Sequence, residues 1–209
     1  MLVVTMDQKA SRSTGDAVPA LLRSVSDVCV IAPFERTAGD EVQGVPADAA
    51  ALYTVVRAAI RAGCWYVGIG GGAGRVGADG GARSGSGAAF VAAREAVDAA
   101  KRSRVPLAVR GEDPEAAARA QAVLRLQALL LARRSRLQWE AVDLVESGVS
   151  GQQAARRLAV TEQAFSQRRI ASGLAEEKEA LPVLLALLNT LDRSADPRVS
   201  PVPAHVGGT

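Results

Sequence analysis

The feature that most constrains the fold is a β-hairpin predicted near the start of the chain. An apolar run at residues 28–34 precedes it, and a second short apolar segment at residues 42–45 follows it. Gly39, between the two segments, tolerates the positive φ that a tight turn often needs. The pattern therefore predicts two strands joined by a turn, with Asp40 and Glu41 at the tip of the hairpin.

A metal site is one interpretation of the acidic residues around this hairpin. Residues 2–6 are predicted to form a buried strand that ends in Asp7. Adjacent strands would place Asp7 beside Asp40, and two neighbouring carboxylates repel each other unless a cation lies between them. Oxygen ligands without a nearby histidine suit Mg²⁺ or Mn²⁺, so Asp7, Asp40 and Glu41 are the candidate ligands. The alternative is an aspartate that caps the next helix and a turn with solvated acids.

The spacing of apolar residues predicts an α+β fold. Because only 3% of the residues are aromatic, the core must consist of alanine, valine and leucine. The predicted elements follow the order β-α-β-β-α-β-α-β-α. A β-α-β-β-α-β core is the ferredoxin-like arrangement, an antiparallel sheet with helices on one face. We expect this domain to span residues 1–132.

Glycine is concentrated in one segment of the predicted domain. Residues 68–87 hold ten of the twenty glycines in the chain. Such density predicts either a flexible loop or a place where the backbone meets a ligand closely. A phosphate-binding loop is the second of these interpretations, but the segment contains no Walker lysine motif. A mobile hairpin loop is therefore the preferred interpretation.

The composition changes at residue 133 and points to nucleic acid. Residues 133–173 contain seven arginines, four carboxylates and no lysine. Three short amphipathic helices are predicted there, and the last two form a helix-turn-helix. The exposed face of the third helix could bond base edges and phosphates. The alternative is a helical hairpin with a solvated charged face. The candidate DNA-binding residues are Thr161, Gln163, Ser166, Gln167, Arg168 and Arg169.

One further helix is predicted at residues 176–191, and it carries a leucine stripe. Leu184, Leu187, Leu188 and Leu191 would be exposed unless they packed on their own chain or formed a homodimer. Residues 133–192 are thus expected to hold the helix-turn-helix and this last helix, and residues 193–209 a disordered tail. No apolar run is long enough to span a membrane, so we expect a cytoplasmic protein.

The residues above resemble a known family of enzymes and regulators. Asp7 at the end of a strand and the hairpin at residues 38–42 resemble the palm domain of nucleotidyl cyclases and diguanylate cyclases. Residues 87–94, which end in Ala-Ala-Arg, resemble the cyclase helix whose arginine contacts the triphosphate. The whole chain is similar to the bacterial SatD family, in its Asp and Ser-Arg near the start, its Gly-Asp-Glu-x-Gln-Gly hairpin, its Gly-Ile-Gly strand and its C-terminal helix-turn-helix.

This resemblance implies a nucleotide site as well as Mg²⁺. Arg94 would be the catalytic residue, and Arg12, Gly70, Gly87 and Arg94 would bind the nucleotide. Two positions depart from the cyclase pattern: Ala38 replaces the first glycine of the diguanylate-cyclase hairpin, and Phe90 replaces an asparagine of the class III helix. The resemblance therefore supports the fold and the carboxylates more strongly than it supports turnover.

Three functions follow from these expectations. The first is a DNA-binding transcriptional regulator whose palm domain binds a nucleotide, Mg²⁺ or both as a sensor. The second is a Mg²⁺-dependent nucleotidyl cyclase or nucleotidyltransferase that acts on a nucleoside triphosphate by a two-metal mechanism. The third is a structural or interaction protein without catalytic activity. The first is the one we prefer, with DNA, a nucleotide and a second copy of the chain in a homodimer as the expected partners.

Overall fold

The elements of the computed structural model follow the order that the sequence predicts. The structure describes residues 1–10 and 15–192, so Arg12 and the tail at residues 193–209 lie outside it. The elements are β1 (Leu2–Gln8), α1 (Val18–Ser24), β2 (Val30–Arg36), β3 (Glu41–Pro46), α2 (Ala49–Ala62), β4 (Trp65–Gly71), α3 (Ala88–Lys101), β5 (Leu107–Gly111), α4 (Pro114–Ala132), α5 (Arg136–Glu146), α6 (Gly151–Arg157), α7 (Glu162–Ala171) and α8 (Leu174–Asn189).

The five strands form one mixed sheet in the order β2-β3-β1-β4-β5. The first four strands of the chain pair with one another in antiparallel fashion, as expected, whereas β5 lies parallel to β4. The parallel pair is possible because α3 connects the two strands as a crossover. The protein is therefore an α+β protein whose sheet is extended by one parallel strand.

Helices cover both faces of the sheet, so the expectation of helices on one face was wrong. Side chains of β1 alternate between the faces: Leu2 and Val4 join a core with residues of α2, α4 and α8. Val3 instead joins a second core with the first turns of α3 and part of the glycine-rich segment. Alternate side chains of β1 contribute to both cores because the strand lies in the middle of the sheet.

Two glycines in β4 allow α3 to approach the sheet closely. A Cβ atom on Gly70 would lie 2.0 Å from the carbonyl oxygen of Ala89, and one on Gly68 would lie 2.2 Å from the amide nitrogen of Val97. Gly70 is buried under the helix. Its role is thus close packing, which differs from the nucleotide contact that the resemblance implied.

The outer edge of β5 is covered by side chains. The amide and carbonyl groups of Leu107 and Val109 point away from β4, and each of them has a hydrogen-bond partner. The guanidinium of Arg125 donates to the Leu107 carbonyl, and the Val109 amide donates to the side chain of Gln121. The remaining two groups bond Val105 and the side chain of Arg110. This edge therefore offers no free hydrogen-bonding row.

The last helix returns to the sheet domain. Leu184, Leu188 and Leu191 are buried in the same core as Leu2 and Val4, and Leu187 is partly buried against it. The predicted leucine stripe therefore packs on its own chain, which removes the surface on which a dimer was expected. None of the helices in the described ranges is long and apolar enough to cross a membrane.

The contact between β4 and α3 generates a prediction about stability. Gly70→Ala forces a methyl group into the backbone of α3, so we expect it to lower the free energy of unfolding by about 3 kcal/mol or more. The matched control is Gly151→Ala at the start of α6, where the nearest atom to the new Cβ is 3.9 Å away and the effect should be within about 1 kcal/mol. Urea unfolding of both variants measures the difference, and equal stabilities would contradict the assigned packing.

Candidate functional site

The two carboxylates that meet on the sheet are those of Asp7 and Glu41. Asp7 in β1 pairs directly with Glu41 in β3, so both side chains project from the same face of the sheet, about 5 Å apart at the Cβ atoms. Asp40 lies one residue earlier, in the turn of the hairpin. The prediction that Asp7 stands beside Asp40 was wrong by one residue, because β3 begins at Glu41 and places Glu41 opposite Asp7.

Two basic side chains of α3 neutralise these carboxylates. The ammonium group of Lys101 lies 2.7 Å from Asp7, and the guanidinium of Arg94 lies 3.5 Å from Glu41. Burial lowers the pKa of Lys101, but the hydrogen bond and charge of Asp7 outweigh burial and leave that pKa raised. We call these four residues the acid–base cluster. It brings Arg94, the arginine that the resemblance assigns to the triphosphate, to the hairpin.

Lys101 is the member of the acid–base cluster that sequence reasoning missed. The signal was present, because Arg94 and Lys101 are seven residues apart and therefore lie on the same face of α3. Two carboxylates on neighbouring strands do need a cation, and this chain supplies two from a helix.

The acid–base cluster does not fit a magnesium site in its present arrangement. Mg²⁺ requires oxygen ligands in a near-octahedral set, but each carboxylate here is already paired with a basic side chain. Within residues 1–10 and 15–192, no group of three or more His, Cys, Asp or Glu side chains is arranged to hold a metal ion. A cation at Asp7 would have to displace Lys101.

The glycine-rich segment forms a hairpin that contacts β2. Arg75 and Ser86 form a two-way backbone bridge, and the guanidinium of Arg83 donates to the carbonyl of Arg36 in β2. Gly87 precedes α3 with φ of 113° and packs against Gly74. The predicted hairpin is present, and its glycines serve turns and close contacts. Arg12, the remaining nucleotide-binding candidate, lies outside the described residues.

The helices after residue 133 build a small core of their own. Ala141 of α5, Ala154 and Ala155 of α6 and Phe165 of α7 are buried together. Serine or threonine caps each of the three helices: Ser135, Ser150 and Thr161 accept the amide of a residue in the first turn. Residues 158–161 form the bend between α6 and α7, where Ala159 has φ of 52°. The hydroxyl of Thr161 thus stabilises α7 as its cap.

The orientation of α7 follows from its one buried side chain. Phe165 faces the core, and at 100° per residue the opposite side of the helix carries Gln163, Gln167 and Ile170. Gln163, Gln167 and Ile170 are exposed. Arg168 and Arg169 lie on either flank of Phe165. Ser166 lies between the outward face and the flank, and is half-buried.

Charges on these helices are segregated. Asp143 and Glu146 of α5 turn toward α2, where they bond Arg61 at 2.7 Å and Arg57 at 2.9 Å. Glu140 bonds Arg136 at 2.6 Å. Three of the four carboxylates are therefore paired with arginines of α2 or of α5 itself. By contrast, no ion pair within the described chain involves the arginines at positions 156, 157, 168 and 169.

A buried carboxylate holds the helices against the sheet domain. Glu177 of α8 is 3% exposed. It lies 2.9 Å from Arg57 of α2 and 2.7 Å from Arg134 at the end of α4. The hydroxyl of Tyr53 donates to it at 2.7 Å. Trp139 of α5 completes this junction, because three guanidiniums, those of Arg57, Arg61 and Arg134, lie 4.8–5.1 Å from its ring centre.

The junction makes stability depend on alkaline pH. Burial raises the pKa of Tyr53 above its usual range, and the charge of Glu177 raises it further. An unfolded tyrosine loses its proton above about pH 10, whereas the folded protein retains it. The unfolded state then binds fewer protons than the folded state, so the free energy of unfolding falls as the pH rises.

We expect Tyr53→Phe to reduce this fall. The variant lacks the ionisable group, so the slope of its unfolding free energy above about pH 10 should be smaller by up to ~1.4 kcal/mol per pH unit. Urea unfolding between about pH 8 and pH 11 gives the slope. Tyr66→Phe, at the half-buried second tyrosine, is the matched substitution, and Tyr53→Phe should have the shallower slope of the two variants. An unchanged slope in Tyr53→Phe would contradict the burial of its proton.

Comparisons with protein-family models, with curated proteins and with solved structures found no match to this chain. The similarity to the SatD family and to cyclase palm domains therefore stays a prediction from the residues.

Proposed function

We propose that this protein is a DNA-binding transcriptional regulator in which α6 and α7 form the helix-turn-helix. The observation that carries the proposal is the charge segregation on α5–α7. Three of four carboxylates pair with arginines, two of them at the sheet domain, while the four arginines of α6 and α7 have no carboxylate partner within the described chain. A phosphate backbone is the partner that such a surface attracts most strongly.

The orientation of α7 suggests how the contacts divide. Gln163 and Gln167 lie opposite the buried Phe165, so they would meet the edges of bases in the major groove, where glutamine favours adenine. Arg168 and Arg169 on the flanks would meet phosphates. The arginines at positions 156 and 157, at the end of α6, would add further phosphate contacts.

This division can be tested by the salt dependence of binding. A random-sequence duplex library measures affinity, and selection from it gives the preferred site. We expect Arg168→Ala/Arg169→Ala to weaken binding to all sequences and to reduce the slope of log K against log salt by about 2, because two phosphate contacts are lost. Gln167→Ala should keep that slope and relax the preference at one base pair.

The control for both variants is Arg102→Ala. Arg102 is an exposed arginine at the end of α3, a helix that packs on the other face of the sheet. This variant changes net charge without touching α6 or α7, so its salt slope should match the wild type. A slope reduced as much by Arg102→Ala as by the Arg168→Ala/Arg169→Ala variant would contradict the assigned surface.

We propose further that the first domain is a nucleotide sensor of the palm type. The antiparallel order β2-β3-β1-β4 supports the ferredoxin-like arrangement. The acid–base cluster supports a ligand site, because Arg94 is 62% exposed beside Glu41 and could exchange its carboxylate for a phosphate. The second candidate, a nucleotidyl cyclase or nucleotidyltransferase, would also use Arg94 to hold the triphosphate, but its metal ion would first have to displace Lys101 from Asp7.

Thermal shifts with ATP, GTP, CTP and UTP, each with and without Mg²⁺, test the sensor. Binding at 100-fold excess over Kd should stabilise the protein by about 2.7 kcal/mol, and Arg94→Ala should abolish the shift. Arg102→Ala is again the control and should retain it. No shift with any nucleotide would contradict the sensor and leave DNA binding untouched, whereas release of pyrophosphate would favour the enzyme.

A further inference from the structure

The outward face of α4 carries an apolar stripe in the middle of the helix. Leu126 is 68% exposed and Leu129 is 47% exposed, and Ala122 is exposed one turn earlier. The same line of positions along the helix continues to the charged residues Glu115 at one end and Arg133 at the other. Together with Arg119, these six residues are spaced alternately by four and three, the repeat of a helix that pairs with another helix. We call them the α4 seam.

The seam is asymmetric along the helix in two ways. Its first half carries the small side chain of Ala122, and its second half carries the two leucines. Its charge is also divided, because Glu115 lies in the first turn and Arg133 follows the last turn. The side chain of Glu115 is 80% exposed and, among the described residues, bonds only the solvent-exposed Arg119 of the same helix at 2.8 Å, a pair that contributes little to stability.

We propose that a second copy of this chain covers the seam, with the two α4 helices antiparallel. In that orientation, Leu126 packs over Ala122 of the second copy and Glu115 meets Arg133 of the second copy. Leu129 then lies along the aliphatic stem of Arg119 of the second copy. One two-fold axis near the level of residue 124 produces all of these contacts twice. A parallel pair would instead place Glu115 on Glu115 and Arg133 on Arg133.

Other surfaces of the described chain suit a second copy less well. The leucines of α8 are already buried in the core. The edge strand β2 exposes Val30 and Ile31, which are 37% and 44% exposed, but Pro33 and two shifts of register interrupt its pairing. Proline and bulges are features that block the addition of another strand.

The antiparallel pair also places the DNA-binding helices at opposite ends. Residue 132 lies eight residues from the axis, so the ends of the two α4 helices would be about 24 Å apart along the pair. Each α5–α7 module begins at such an end, which is compatible with two major grooves about 34 Å apart. This consequence rests on the proposed function, whereas the dimer itself does not.

Sedimentation velocity of the full chain tests the seam. We expect the wild type to be a dimer and Leu126→Glu to raise the dissociation constant at least ~100-fold, because both copies would bury an unpaired charge. Val183→Glu is the matched control: it alters a 58% exposed side chain on the neighbouring α8 and should leave the constant within about threefold of the wild type. A monomeric wild type at about 100 μM, or equal effects of the two substitutions, would overturn the proposal.

Cysteine pairing tests the orientation. In a background with Cys29→Ser and Cys64→Ser, one protein carries Ala122→Cys and another carries Leu126→Cys. Mixing the two proteins under oxidation should give mainly the mixed disulfide, because the antiparallel pair brings these two positions together. Leu126→Cys that links mainly to itself would indicate a parallel pair and overturn the proposal. Both experiments run without DNA, so their failure leaves DNA binding standing.

Discussion

The arrangement of the whole molecule depends on the ion pairs of one buried carboxylate, that of Glu177. It is buried among Tyr53, Arg57 and Arg134, and so connects α2, the end of α4 and α8 at one point. Its backbone carbonyl also accepts a hydrogen bond from Gln127. A buried charge is tolerated only when partners compensate for lost hydration. Here the charges of two guanidiniums and the hydroxyl of Tyr53 do so.

The same junction explains which side of α5 meets the sheet domain. Arg57 and Arg61 of α2 attract Asp143 and Glu146, which fixes the side of α5 that faces the sheet domain. Trp139 packs between the guanidiniums and holds α5 at that rotation. Since α5, α6 and α7 share one core, fixing α5 also fixes the direction of α7. Electrostatic pairing at the junction thus fixes how α5, α6 and α7 are oriented on the sheet domain.

Local patterns predicted more of this structure than long-range pairings did. The order of strands and helices and the turn at Gly39 are short-range properties, and they were correct. The partner of Asp7 was misplaced by one residue, because register depends on where β3 begins. The helices on both faces were missed, since nothing local distinguishes Gly68 and Gly70 as packing glycines. Glu177 gave no sequence signal, because its partners Tyr53 and Arg134 lie 124 and 43 residues away.

The covered edge of β5 limits what the sheet can do in a crowded solution. Exposed edge strands template the addition of further strands from other molecules, which leads to fibres and aggregates. In this chain, Gln121 and Arg125 of α4 bond two of the outward groups of β5. The helix that supplies these two side chains also carries the exposed leucines. Association of two copies through α4 is therefore compatible with a β5 edge that resists the addition of strands from other molecules.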